Sequence, residues 1–149
     1  MIDLSVRTHQ VDRSSRLTFS NHYNPKRSNL EEDEPIRARA VWLILKSQPE
    51  EAIESLCTYY RVDIPTLRVG LPKKHSSVAG CYVLHKKTIY VKNRETLYNP
   101  FVILHEFYHH LRSISGTHRG TDKLADSFAI NSIRAYNQIV SNQDSRQNA

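Results

Sequence analysis

The chain has 149 residues, of which 39% are hydrophobic, and its 21 Lys and Arg against 15 Asp and Glu leave a net charge of +6. That is enough for one modest core without staples. No run approaches the ~18 apolar residues of a membrane helix, the start lacks the apolar stretch of a secretory signal, and two cysteines, Cys57 and Cys81, are too few for a disulfide scaffold or a thiolate metal site. The reading is a cytoplasmic protein with no membrane partner and two buried free thiols.

Residues 1–35 are polar and lack apolar periodicity, and they end in the acidic run Glu31 to Glu34, so they read as a flexible leader. The leader holds five basic and six acidic residues, which leaves sixteen basic against nine acidic, or +7, for the rest. The predicted domain, residues 36–140, is therefore the basic part. Ile36 to Lys46 carries Ala38, Ala40, Val41, Trp42, Leu43, Ile44 and Leu45, a largely buried helix. Ser47-Gln-Pro-Glu50 has the spacing of a capping box and opens a second helix with Ile53, Leu56, Cys57 and Tyr60 inside. Trp42 and the pair Tyr59-Tyr60, at helical spacing, are assigned to the core.

From Ile64 the period changes. Val78 to Leu84 and Thr88 to Lys92 are short β-rich runs, joined by a hairpin connection through His85, Lys86 and Lys87. Gly80 marks a bulge or a close approach. Ile89 and Val91 share one face of the second strand and Tyr90 and Lys92 the other. The strand at Ile89 to Val91 is a candidate for pairing with an extended peptide, with a purely structural hairpin as the alternative.

Asn99-Pro100 then gives a helix N-cap followed by a residue suited to the first helical position. Phe101, Leu104, Tyr108 and Leu111 recur at three- and four-residue steps and supply an apolar face, and Gly116 is the predicted stop. His105 and His109 project from one side a turn apart, where two imidazoles can hold one zinc ion, with Glu106 beside them. This is the His-Glu-x-x-His spacing. The ion lowers the pKa of a bound water toward ~7, and the Glu accepts its proton and passes it to a leaving amine. The expected activity is Zn2+-dependent peptide hydrolysis.

A catalytic zinc site takes three protein ligands and keeps one position open. Position 115 is Ser, which excludes the long pattern with His six residues beyond the second ligand. Thr121 can cap a further helix with Leu124, Ala125, Phe128, Ala129, Ile133 and Tyr136 along its stripe. Asp122 in its first turn is the first choice for third ligand, with His118 and Asp126 as alternatives. Asp126, one turn on, is also placed to accept a hydrogen bond from a ligand imidazole. His110 is rotated ~100° from its neighbour. Residues 141–149 read as a disordered tail.

His105-Glu-Phe-Tyr-His109 followed by Asp122-Lys-Leu-Ala-Asp126-Ser-Phe-Ala129, with Gly80-Cys-Tyr and Thr88-Ile-Tyr-Val91 upstream, resembles the ImmA/IrrE family of small gluzincin-like metallopeptidases. In that family the later helix reads Glu-x-x-Ala-Asn/Asp-x-Phe-Ala, and its Glu is the third zinc ligand. Position 122 matches that Glu, and this chain departs from the pattern with the shorter Asp. The resemblance covers about residues 50–140. It implies an α+β zincin-like domain, with a small sheet packed on the metal helix and a ligand-bearing helix after it. It also implies cleavage of regulatory proteins such as helix-turn-helix repressors. Lys73, Lys74, Lys86, Lys87, Lys92 and Arg94 around the hairpin, with His118-Arg-Gly120, weakly resemble the SprT-like proteases that cut proteins on DNA, which keeps nucleic acid open as a partner. An inactive zinc-binding module is the third reading; a purely structural site has no use for Glu106.

Overall fold

Asp33 directly precedes the first helix, α1 (Glu34–Leu45), in the computed structural model of the chain, which describes residues 32–114 and 121–148. Pro35 lies in the first turn of α1, where an absent amide costs nothing. Ala40, Val41, Leu43 and Ile44 are buried, but Trp42 is 44% exposed. The expected core role of Trp42 does not hold. It lies ~200° round the helix from Ile44, on the side that no other described element covers. Tyr59 is likewise exposed while Tyr60 is buried.

The capping box is not formed either. Ser47 takes a left-handed φ of 63°, its amide donates to the Ile44 carbonyl at 3.0 Å and that of Gln48 to the Leu43 carbonyl at 2.8 Å. This is the six-to-one closure that ends a helix, so Ser47 terminates α1 instead of opening α2 (Pro49–Tyr60). Gln48 stands at the N-cap of α2, and Pro49 supplies the first turn.

The leader boundary also moves. Asp33, assigned from sequence to the polar leader, is 2% exposed. Its carboxylate accepts from Arg37 Nε at 2.9 Å and from the Tyr60 hydroxyl, and Arg37 Nη1 reaches Ser132 Oγ at 3.4 Å. One buried ion pair thus ties α1 to α2 and to the last helix.

Strands β1 (Thr66–Val69), β2 (Gly80–Val83) and β3 (Thr88–Val91) form a sheet in the order β1-β3-β2. The hairpin β2-β3 is antiparallel, with Gly80 opposite Val91, and β1 lies parallel to β3, with Thr66 opposite Thr88. Ile89 and Val91 are buried against the helices, Tyr90 is half-buried and Lys92 is exposed, as the alternation predicts. Because β3 is central, both its edges are already hydrogen-bonded. The expected peptide pairing at Ile89 to Val91 is therefore ruled out. Among the described residues the edge strand beside the site is β2.

After the one-turn helix α3 (Arg94–Leu97), Asn99 caps α4 (Pro100–Ile114), its side-chain oxygen 3.0 Å from the Phe101 amide. Helix α4 lies between the sheet and α5 (Asp122–Gln147). It is consequently buried on more than the predicted stripe: Ile103, Leu104, Phe107 and Leu111 are all inaccessible. At ~1.5–3 kcal/mol for each such side chain, this helix is the centre of the core. Helix α5 runs to Gln147, so the predicted disordered tail is helical across 141–147. Gly116, His118 and residues 1–31 lie outside the described residues. The architecture is α+β, and no described helix is long and apolar enough to cross a membrane.

Candidate metal centre

Helix α4 is buried on both sides, and His105 and His109 lie on the arc that stays partly accessible among the described residues. Their Nε2 atoms are 3.1 Å apart, and one carboxyl oxygen of Asp122 lies 3.0 Å from His109 Nε2 and 3.8 Å from His105 Nε2. A tetrahedral ion with ~2.0–2.1 Å bonds would hold its donors ~3.3–3.4 Å apart. The three donor atoms therefore fit one ion. Asp122 sits in the first turn of α5, where the helix dipole favours a carboxylate, and from there the shorter side chain reaches both imidazoles.

The outer ring nitrogens are also held. His105 Nδ1 is 2.8 Å from Asp126 Oδ1. A carboxylate only accepts, so the proton sits on Nδ1 and the Nε2 lone pair faces the site. Asp126 thus stands where the spacing suggests an imidazole orienter, outside the group of His105, His109 and Asp122 that could hold an ion. His109 Nδ1 is 3.0 Å from Thr121 Oγ1. Sequence reading made Thr121 a helix cap; instead its hydroxyl turns from the helix amides to the ligand. Only its place next to Asp122 in the sequence hints at this.

His110, next to a ligand in sequence, is fully buried rather than an exposed polar side chain. Its Nε2 donates to the Asp63 carbonyl at 2.7 Å, and its Nδ1 lies 3.0 Å from the Tyr82 hydroxyl. Burial lowers its pKa, so the ring is neutral and Nδ1 accepts from Tyr82. His110 thereby pins β2 to α4.

That matters because the Tyr82 amide donates to the carboxylate of Glu106. Glu106 is buried between α4 and β2. Its pKa is pushed up to about 7, mainly by burial and then by the nearby Asp122 charge, against which the Tyr82 amide acts. Gly80 makes the close approach possible. A Cβ there would meet Val102 Cγ1 at 2.8 Å and Glu106 Cγ at 3.2 Å, while its pairing with Val91 is regular, so the glycine marks contact and not a bulge.

The three candidate ligands and Glu106 open onto a cleft of about 720 Å3, walled by Val78, Leu84, Phe101 and Val102 and edged by β2. Lys92 donates its amide to the Ala79 carbonyl, so by alternation the main-chain groups of Gly80 and Tyr82 face away from β3, toward the cleft side. Set against known proteins, the chain matches no protein-family model, no curated protein and no solved structure. The geometry supports a group of two imidazoles and a carboxylate that could hold a metal ion, with a raised-pKa carboxylic acid beside it.

Proposed function

We propose that the protein is a zinc metallopeptidase of the ImmA/IrrE type, with a zincin-like domain, that hydrolyses extended segments of other proteins, regulatory proteins such as transcriptional repressors among them. The observation that carries this reading is the position of Glu106. It lies one residue from His105 and is fixed by the Tyr82 amide at the edge of an open cleft, where a structural metal site would have no use for it. The donor set of two nitrogens and one oxygen suits zinc and leaves a position for substrate.

When bound by His105, His109 and Asp122, zinc would supply Lewis acidity toward a carbonyl and lower the pKa of a water. The rest of the chemistry belongs to the chain. Glu106 takes up a proton from the attacking water and returns it to the leaving amine, from the position that the Tyr82 amide fixes. Asp126 holds the His105 imidazole in the tautomer that offers Nε2 inward, and Thr121 orients the His109 ring. The outward main-chain groups of Gly80 pair with an extended substrate, and the apolar wall exclude water around it.

The test compares wild type with Glu106→Gln on candidate repressors, with zinc content measured in both. The reading expects one zinc per chain in each protein and cleavage in the wild type alone. Cleavage at wild-type rate by fully loaded Glu106→Gln would reject it; zinc bound without cleavage of any protein would favour a binding module.

A further inference from the structure

The charge of the chain is not spread evenly. Residues 61–94, which include the whole sheet, hold eight Lys and Arg against the single acid Asp63, a local +7 in a chain of net +6. All eight basic side chains are exposed. Two groups of them flank β2 in sequence: Lys73 and Lys74 in the short helical turn Lys73–His75, which ends five positions before Gly80, and Lys86 and Lys87 in and after the turn Leu84–Lys86 that follows, with Lys87 Nζ 3.3 Å from Asp63 Oδ2. His75 from the first turn and Leu84 from the second line the cleft. The acidic residues of the cleft wall are Glu106 and Asp122, both beside the candidate metal group.

Resting on the peptidase reading, we infer that the cleft selects an extended segment with acidic side chains on both sides of an apolar scissile region. A four-residue strand spans ~13 Å, and charges act over a screening length of ~8 Å at physiological salt. The pull of each basic turn is therefore strongest on substrate residues beside its own end of β2 and weakens toward the middle. The cleft is also lined by Val78, Phe101 and Val102, which select apolar side chains. A nucleic acid fits less well, because a phosphate backbone laid from one turn to the other would cross Glu106 and Asp122. The free acids of a peptide can be spaced to avoid them.

The experiment uses zinc-loaded full-length Glu106→Gln and a pair of ten-residue peptides, one with two Asp or Glu on each side of a Leu-Val centre and one with Asn or Gln in their place. Binding is measured by fluorescence anisotropy beside a single-stranded oligonucleotide of equal charge. The acidic peptide is expected to bind at least tenfold tighter than its amide twin at low salt, with the ratio collapsing at 1 M salt, where the screening length is ~3 Å. The double change Lys73→Ala with Lys74→Ala should lower that ratio severalfold, whereas Lys46→Ala, exposed at the far end of α1, should leave it unchanged. Equal binding of the two peptides overturns the inference, and so does an oligonucleotide that binds tighter than the acidic peptide. Wild-type cleavage separates the two readings. If both peptides are cut equally well the inference fails and the peptidase stands; if the acidic peptide binds and neither is cut, the inference stands and the peptidase fails.

Discussion

Helix α5 carries a polar cluster at each end of its packed length, and the two are built on opposite rules. Around Ser132, the Asp33–Arg37 pair is closed: both side chains are 2% exposed, and Tyr60 and Ser132 take up further valences. Around Asp122, three donor atoms converge on one point, and Asp122 itself is 88% exposed. The closed cluster spends its hydrogen bonds on itself. The open one spends only its outer atoms, His105 Nδ1 and His109 Nδ1, and aims the inner ones at a common centre. A polar cluster that leaves its strongest donors facing one another is arranged for a partner outside the chain.

The largest effect should come from the open cluster, where Glu106→Gln keeps shape and metal but removes the proton acceptor. Peptide cleavage should fall by ~10²- to 10⁴-fold with zinc content unchanged, as assayed by turnover and metal analysis on the same sample. His105→Ala, in contrast, should lose the metal along with the activity.

The closed cluster should fail differently. Asp33→Ala removes the carboxylate paired with the buried Arg37, at a cost of about 3–5 kcal/mol, so thermal melting should shift down by many degrees. The surviving folded protein should still bind one zinc. If instead metal affinity fell and the melting temperature did not, the separation of the two clusters would be wrong.

Between these sit the orienting groups. Asp126→Asn and Thr121→Ala should each weaken zinc binding by up to ~10- to 100-fold without removing a ligand, measurable by competition with a chelator. Asp122→Ala should weaken it more than either.

The two clusters were not equally legible in the sequence. His105 and His109 lie four apart on the helix that Asn99 caps, and Asp122 and Asp126 four apart on the next, so local periodicity nominates all four while leaving Asp122 open against His118 and Asp126 as third ligand. The Asp33 cluster has no local signature: Tyr60 is 27 positions away from Asp33, and Ser132 is 95 from Arg37. Composition therefore put Asp33 with the leader. The same limit hid the Tyr82 amide behind Glu106, because it depends on how β2 crosses α4. Ser47 and Trp42 fail for another reason. Spacing alone cannot tell whether a serine ends one helix or begins the next, or which arc of an apolar helix stays uncovered.

The smallest effect concerns the resting cost of the open cluster. Glu106 has its pKa raised from 4.5 to about 7, chiefly by burial. A carboxyl group that holds its proton more tightly when folded than when unfolded makes the folded state bind the extra proton between those values, so stability falls as pH rises through that window and stays lower above it. At 1.36 kcal/mol per unit, the ceiling on the loss is about 3 kcal/mol. Metal-free Glu106→Gln, which cannot ionise, should escape that loss: it should melt above the metal-free wild type at pH 8, with the advantage shrinking toward pH 4. Zinc should shrink it too, because a dication beside the carboxylate favours its charged form. Thermal melts at pH 4 and pH 8, with zinc and with chelator, give the four numbers needed. An advantage for the Gln variant that did not change with pH would mean that the carboxylate charge is not what the open cluster holds at a cost, and that Glu106 is a packed side chain like those at the closed end.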